Sequence, residues 1–225
     1  PVPNEINYGY EEIQFESINI ITNDFKNEVK TLIDFFNKND VTQSENGLNI
    51  QLIKENIFVD NTNEEAYKLT VSDKIKITAN SDKGIYDGIQ TLKQIFRKQN
   101  KKGVFPKLEI TDFPAFKIRG FMHDTGRNFQ SVAKLKEQIE VLVQYKYNVF
   151  HWHLTDNPGW RLESKLYPEL QVEHATTRQK GNFYTQEDFK DILAFCKKRK
   201  ITVIPEFDIP GHTDAFRKAL QIDEM

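Results

Sequence analysis

Ionisable and aromatic residues crowd three short segments of this 225-residue chain. The first offers Arg119, His123 and Asp124, and the second His151, His153, Thr155 and Asp156. The third offers Glu206, Asp208 and, after a Pro210-Gly211 turn, His212. Two chemistries could use such a set. His151 and His153 alternate onto one face of an extended segment, which could place two imidazoles on one zinc ion. Asp156 and His212 could instead act as an acid/base relay on a polar neutral substrate such as a sugar, with Arg119 as a hydroxyl clamp. Trp152 and Trp160 would suit the faces of pyranose rings.

The elements that must position these groups alternate in type. A strand pattern over Lys117 to His123 leads to a helix from Ser131, with Val132, Leu135, Ile139, Leu142 and Val143 inward. A strand over Asn148 to Leu154 follows. A further helix opens at Thr185, with Asp188 placed for a capping box, and feeds a strand over Ile201 to Phe207. The order β-α-β-α-β implies a parallel sheet with right-handed crossovers, whose working residues gather at the C-terminal strand ends. No glycine-rich phosphate-binding turn follows these strands, so no nucleotide cofactor is expected.

The first half reads differently. Residues 11 to 21 alternate with a phase slip near Ser17, and a helix with Asn23 as its N-cap carries Phe25, Val29, Leu32, Ile33 and Phe36. Strand patterns recur around Leu48 to Leu52, Tyr67 to Val71 and Ile75 to Ala79, the last two as a hairpin. A second helix carries Ile85, Ile89, Leu92, Ile95 and Phe96, and the basic run Arg97 to Lys102 reads as its solvated end. These elements make a sheet of three or four strands with two helices over one face. Asp112-Phe113-Pro114 marks the boundary, because proline restrains the residue before it and ends a ladder.

Composition removes several function classes. With 31 basic and 33 acidic residues, net −2, nothing marks a nucleic-acid partner or an anionic membrane surface. No apolar run is long enough to cross a membrane as a helix. The one cysteine, Cys196, excludes an internal disulfide and reads as a buried small hydrophobe.

The strings RGFMHDTGR (119 to 127), NVFHWHLTDNPGWR (148 to 161), YTQEDFKDILAFC (184 to 196) and ITVIPEFDIPGH (201 to 212) resemble the catalytic domain of glycoside hydrolase family 20, the β-N-acetylhexosaminidases. The resemblance implies an α+β accessory domain over residues 1–112. An incomplete α/β barrel of the TIM type follows over 113–225, holding the first three βα units of eight. It implies a parent enzyme that removes terminal N-acetylhexosamine from glycans by substrate-assisted retaining hydrolysis, with no cofactor. By the resemblance Arg119 binds ring hydroxyls, Asp156 and His212 form a relay that supports the general acid, and Glu206 and Asp208 stand behind them. The family's Asp-Glu pair belongs to a fourth strand, so this chain by itself is expected to be inactive. Where the family usually has a second Asp and a Gln after Asp156, Asn157 and Pro158 stand here.

Other readings stay open beside that one. His151 and His153 could be hydrogen-bonded interior residues, or the ligands of a metal-dependent TIM-barrel hydrolase. The chain could also serve as a non-catalytic carbohydrate-binding module. Arg119 could be an ion-pair partner of Asp124 or Asp156, Trp152 a packing residue, and Asp208 a cap on the turn before His212. A second copy of the chain, a swapped element or a further part of the protein is expected to cover the open barrel edge. By analogy with exo-acting sugar hydrolases, and because the first residue is Pro1, the parent is expected to be secreted or periplasmic.

Overall fold

The computed structural model describes residues 1–59 and 64–222 and divides into two units, Pro1–Lys117 and Ile118–Met225. In the first unit, β1 (Glu5–Phe15) and β2 (Ser17–Ile21) are separated at Glu16, where the apolar alternation changes phase. Then come α1 (Lys26–Lys38), β3 (Thr42–Gln43) and β4 (Leu48–Lys54), and the hairpin β5 (Tyr67–Val71) and β6 (Ile75–Ala79). The unit closes with α2 (Asp82–Ile95), β7 (Arg97–Gln99) and β8 (Lys102–Asp112).

These strands form one eight-stranded mixed sheet in the order β1-β8-β5-β6-β4-β2-β3, with β7 also on β8. On β5 and β6 one face is buried through Tyr67, Leu69, Val71, Ile75, Ile77 and Ala79, while alternate residues stay in contact with solvent. Phe15 and Phe105 from the sheet meet Phe36 from α1 and Phe96 from the end of α2, with ring centroids 5.3 to 6.4 Å apart. Helix α2 lies close on the hairpin: a Cβ at Gly88 would sit 2.6 Å from Ile77 Cγ2, so a glycine is required there.

Three expectations need correction in this unit. The sheet has eight strands, not three or four: the stretch read as one strand over residues 11 to 21 spans β1 and β2, the short β3 and β7 were not anticipated, and β8 hides its alternation. Pro106 stands where the pairing with β1 shifts register between Tyr8 and Glu12, and such a bulge breaks a two-residue period. The basic run is no helix end. It is a hairpin in which Arg97 to Gln99 pair with Lys102 to Val104 around Asn100 and Lys101, both at positive φ, as a tight hairpin turn requires. Finally, α1 starts after Phe25, and no side chain caps it.

The second unit runs β9 (Gly120–Asp124), α3 (Val132–Gln144), β10 (Val149–His153), β11 (Thr155–Asp156) and β12 (Gly159–Trp160). It continues through α4 (Gln186–Lys197), β13 (Thr202–Glu206) and α5 (Asp214–Leu220). Strands β9 and β13 flank β10, and both pairings are parallel. Ser131 caps α3, and Thr185 with Asp188 forms the expected capping box on α4. Cys196 is fully buried on α4, and burial pushes its thiol up to about 12.

Candidate functional site

Strand β10 sorts its side chains by face. Phe150 and Trp152 are buried toward the helices, where the Trp152 ring stacks on Phe189 at 5.4 Å and meets Tyr184 edge-on at 4.7 Å. Trp152 Nε1 donates to Thr125 Oγ1 at 3.0 Å. Trp152 is therefore a packing residue. Trp160 is also engaged: its Nε1 donates to the Leu162 carbonyl at 2.7 Å, and its ring packs on Phe207 and Phe216.

His151 and His153 take the opposite face, two residues apart. His151 Nε2 and His153 Nδ1 each lie 2.8 Å from the same oxygen of Glu206, which the pairing of His153 with Glu206 across β10 and β13 places there. His153 Nε2 lies 3.0 Å from Asp156 Oδ2. Burial opposes a charge on His153, but hydrogen bonds from Asp156 and Glu206 outweigh it and raise the ring's affinity for a proton. Asp124, His153 and Asp156, and likewise His153, Glu206 and Asp208, hold donor atoms within 4.8 Å of one another. As a metal pair the two histidines converge on a carboxylate oxygen that already lies within hydrogen-bond reach of both.

Beyond the strand ends a second cation enters. Arg127 Nη1 donates to Asp124 Oδ2 at 2.6 Å, Arg127 Nη2 lies 2.9 Å from Asp156 Oδ2, and the same nitrogen is 3.4 Å from His212 Nε2. Asp124 also accepts the Arg127 amide at 2.9 Å. Burial of Asp124 works against its charge, but these bonds prevail and hold its carboxyl below the usual range. His212 Nδ1 meets Asp208 Oδ2 at 2.5 Å, and the Asp208 amide donates to Thr155 Oγ1 at 3.1 Å.

The loops around this cluster are held by Arg161, a fully buried guanidinium with no carboxylate partner among the described residues. It donates to four carbonyls: Gly126 at 3.2 Å, Arg178 at 2.7 Å, Gln179 at 3.2 Å and Asn182 at 2.9 Å. Burial lowers its proton affinity. Gly126 lies so close to β11 that a Cβ there would sit 2.9 Å from Asp156 Cβ.

The structure thus brings Asp156, His212, Glu206 and Asp208 together. Arg119 does not join them. It precedes β9 at the N-terminal end of the parallel strands, where its Nε donates to the Lys146 carbonyl at 2.6 Å and its amide to Asn148 Oδ1 at 2.9 Å. The ion pairs with Asp124 and Asp156 offered to Arg119 are made by Arg127, which follows the strand. That order was readable, since the residues that gather at the C-terminal face are those at or just after the strand ends. Within the relay, the direct partner of His212 is Asp208, whereas Asp156 Oδ2 stands 3.9 Å away.

Comparison with known proteins completes the picture. Residues 116–223 match the model of "Glycosyl hydrolase family 20, catalytic domain", and residues 1–113 match "Glycosyl hydrolase family 20, domain 2". A beta-hexosaminidase of Vibrio furnissii is 41% identical over 172 residues, covering 70% of this chain and 28% of its own length. One of Porphyromonas gingivalis is 42% identical over 167 residues, covering 68% of this chain and 21% of its own. Among solved structures, a GH20 exo beta-N-acetylglucosaminidase of Vibrio harveyi in complex with N-acetylglucosamine superposes with TM-score 0.87 at 35% identity, covering 98% of this chain and 37% of that one. A beta-N-acetylhexosaminidase of Bacteroides fragilis gives TM-score 0.85 at 31% identity, covering 98% and 47%. The chain spans under half the length of each of these relatives.

Proposed function

The chain belongs to glycosyl hydrolase family 20, and from that premise we propose that its second unit is one wall of a site that binds a terminal N-acetylhexosamine for hydrolysis. Residues 1–112 act as the accessory domain, and residues 113–225 as the first three βα units of a (β/α)₈ barrel. The observation that carries this reading is the convergence of Arg127, Asp156 and the Asp208–His212 pair beyond the ends of three parallel strands.

Each group has a role suited to its chemistry. Arg127 carries fixed N–H donors beside the partly exposed acceptor Asp124, a mixture that fits sugar hydroxyls, which both donate and accept. His212, half-exposed and paired with Asp208, can take up and return a proton, which supports an acid/base group brought by another part of the enzyme. Arg119 anchors the opposite end of the sheet. The substrate's own acetamido group serves as nucleophile, with the acid/base carboxylate on a fourth strand. The step Asp223-Glu224 follows α5 in sequence, not a strand, and is not assigned that part.

Turnover of a chromogenic N-acetylglucosaminide tests the proposal. The enzyme containing this chain is expected to cleave the substrate and lose that activity on Asp156→Asn, while the purified 225-residue chain alone gives no turnover. Full activity of the Asp156→Asn enzyme would overturn the assignment.

A further inference from the structure

We propose that His153 is a positioning residue, an imidazolium at neutral pH that clamps the Asp156 carboxylate against Arg127 and so fixes the guanidinium offered to the sugar. The inference deepens the function proposed above and rests on it for the identity of the ligand. The ionisation of the ring does not.

A neutral imidazole has one donor nitrogen and one acceptor nitrogen. His153 is 4% exposed, and its two nitrogens each face a carboxylate oxygen, Asp156 Oδ2 at 3.0 Å and Glu206 Oε2 at 2.8 Å. A neutral ring would aim a lone pair at one of those oxygens in a site with little water. The carboxylate oxygens that face the ring already take other donors. Asp156 Oδ2 already meets Arg127 Nη2 at 2.9 Å, its Oδ1 accepts the Asn157 amide at 2.6 Å, and Glu206 Oε2 also meets His151 Nε2 at 2.8 Å. With both nitrogens as donors, every one of these bonds is satisfied. The raised proton affinity of the ring agrees with that count.

All the elements around the ring contribute to this field. Asp124 comes from β9 and Arg127 from the turn after it, His151 from β10 itself, Asp156 from β11, Glu206 from β13, and Asp208 and His212 from the segment that follows. The rings of His153 and His212 are 6.3 Å apart, yet their settings differ. His212 has one carboxylate in hydrogen-bond contact and a side chain 45% exposed. His153 has two and almost no water. One histidine moves a proton, and the other holds one to keep a carboxylate in place.

Nitrogen-detected NMR of the histidine rings tests this on the protein itself. Both His153 ring nitrogens are expected to be protonated at neutral pH, with a midpoint above the 6.5 of a free imidazole that falls on Glu206→Gln. A single protonated nitrogen at neutral pH, or a midpoint untouched by Glu206→Gln, would overturn the proposal. In the enzyme containing this chain, His153→Gln is expected to raise KM for an N-acetylglucosaminide about tenfold with a smaller change in kcat. An unchanged KM would refute the clamp. Should the wild-type enzyme cleave no N-acetylhexosaminide, the function proposal fails, and the ring's ionisation is still decided by the NMR experiment.

Discussion

Arg127 Nη2 and His153 Nε2 reach the same oxygen, Oδ2 of Asp156, at 2.9 and 3.0 Å. One carboxylate therefore ties the turn after β9 to the end of β10 and to the short β11–β12 ribbon. That oxygen is buried with the rest of Asp156, whereas Arg127 keeps 42% of its side chain exposed, so the cation is the part of the network that meets a ligand.

The two arginines of the first motif are expected to respond differently to substitution. Arg127→Ala removes charged hydrogen bonds worth about 2 kcal/mol each, so kcat/KM of the enzyme should fall more than about tenfold. Arg119→Ala should lower the stability of the second unit and leave KM within about twofold, because it acts at the far end of the strands. Equal losses of kcat/KM in both variants would contradict the placement.

Arg161→Met tests the buried guanidinium. The substitution keeps the bulk but strands four carbonyls, and each buried unsatisfied group costs about 1–3 kcal/mol. Loss of more than about 3 kcal/mol is expected in urea unfolding. Tryptophan fluorescence follows this unit alone, since both tryptophans, Trp152 and Trp160, lie in it.

The charge on His153 gives stability a direction in pH. Its folded proton affinity is raised, so its contribution is complete below the unfolded value near 6.5 and is lost as pH rises through the higher folded value. The urea midpoint of the second unit should fall on the alkaline side of 6.5, and Glu206→Gln should shrink that fall. A midpoint that rises over the same interval would show the sign to be wrong.

Gly126→Ala probes the close approach of two loops. Its Cβ would meet Asp156 Cβ at 2.9 Å and the Asp156 amide nitrogen at 3.1 Å, backbone and stem atoms that cannot swing aside. Overpacking of this kind costs about 1–3 kcal/mol, and moving Asp156 should raise KM as well. Thermal melting and steady-state kinetics of the same variant read both effects.

The sequence by itself determined the alternation of strands and helices in the second unit, the capping box at Thr185 and Asp188, and the three segments that bear ionisable groups. These are local properties: apolar period, cap chemistry and residue type act over a few positions. Only the tertiary structure decided which of those groups meet. Strand direction carries Arg127 to the site and leaves Arg119 behind. Pairing across β10 and β13 puts Glu206 under two histidines, and the turn at His212 hands it to Asp208 instead of Asp156. The same limit hid β8, whose alternation is broken at Pro106 and restored only by the register of its neighbours. Contacts between residues tens of positions apart depend on register and strand order, which no local pattern of side chains encodes.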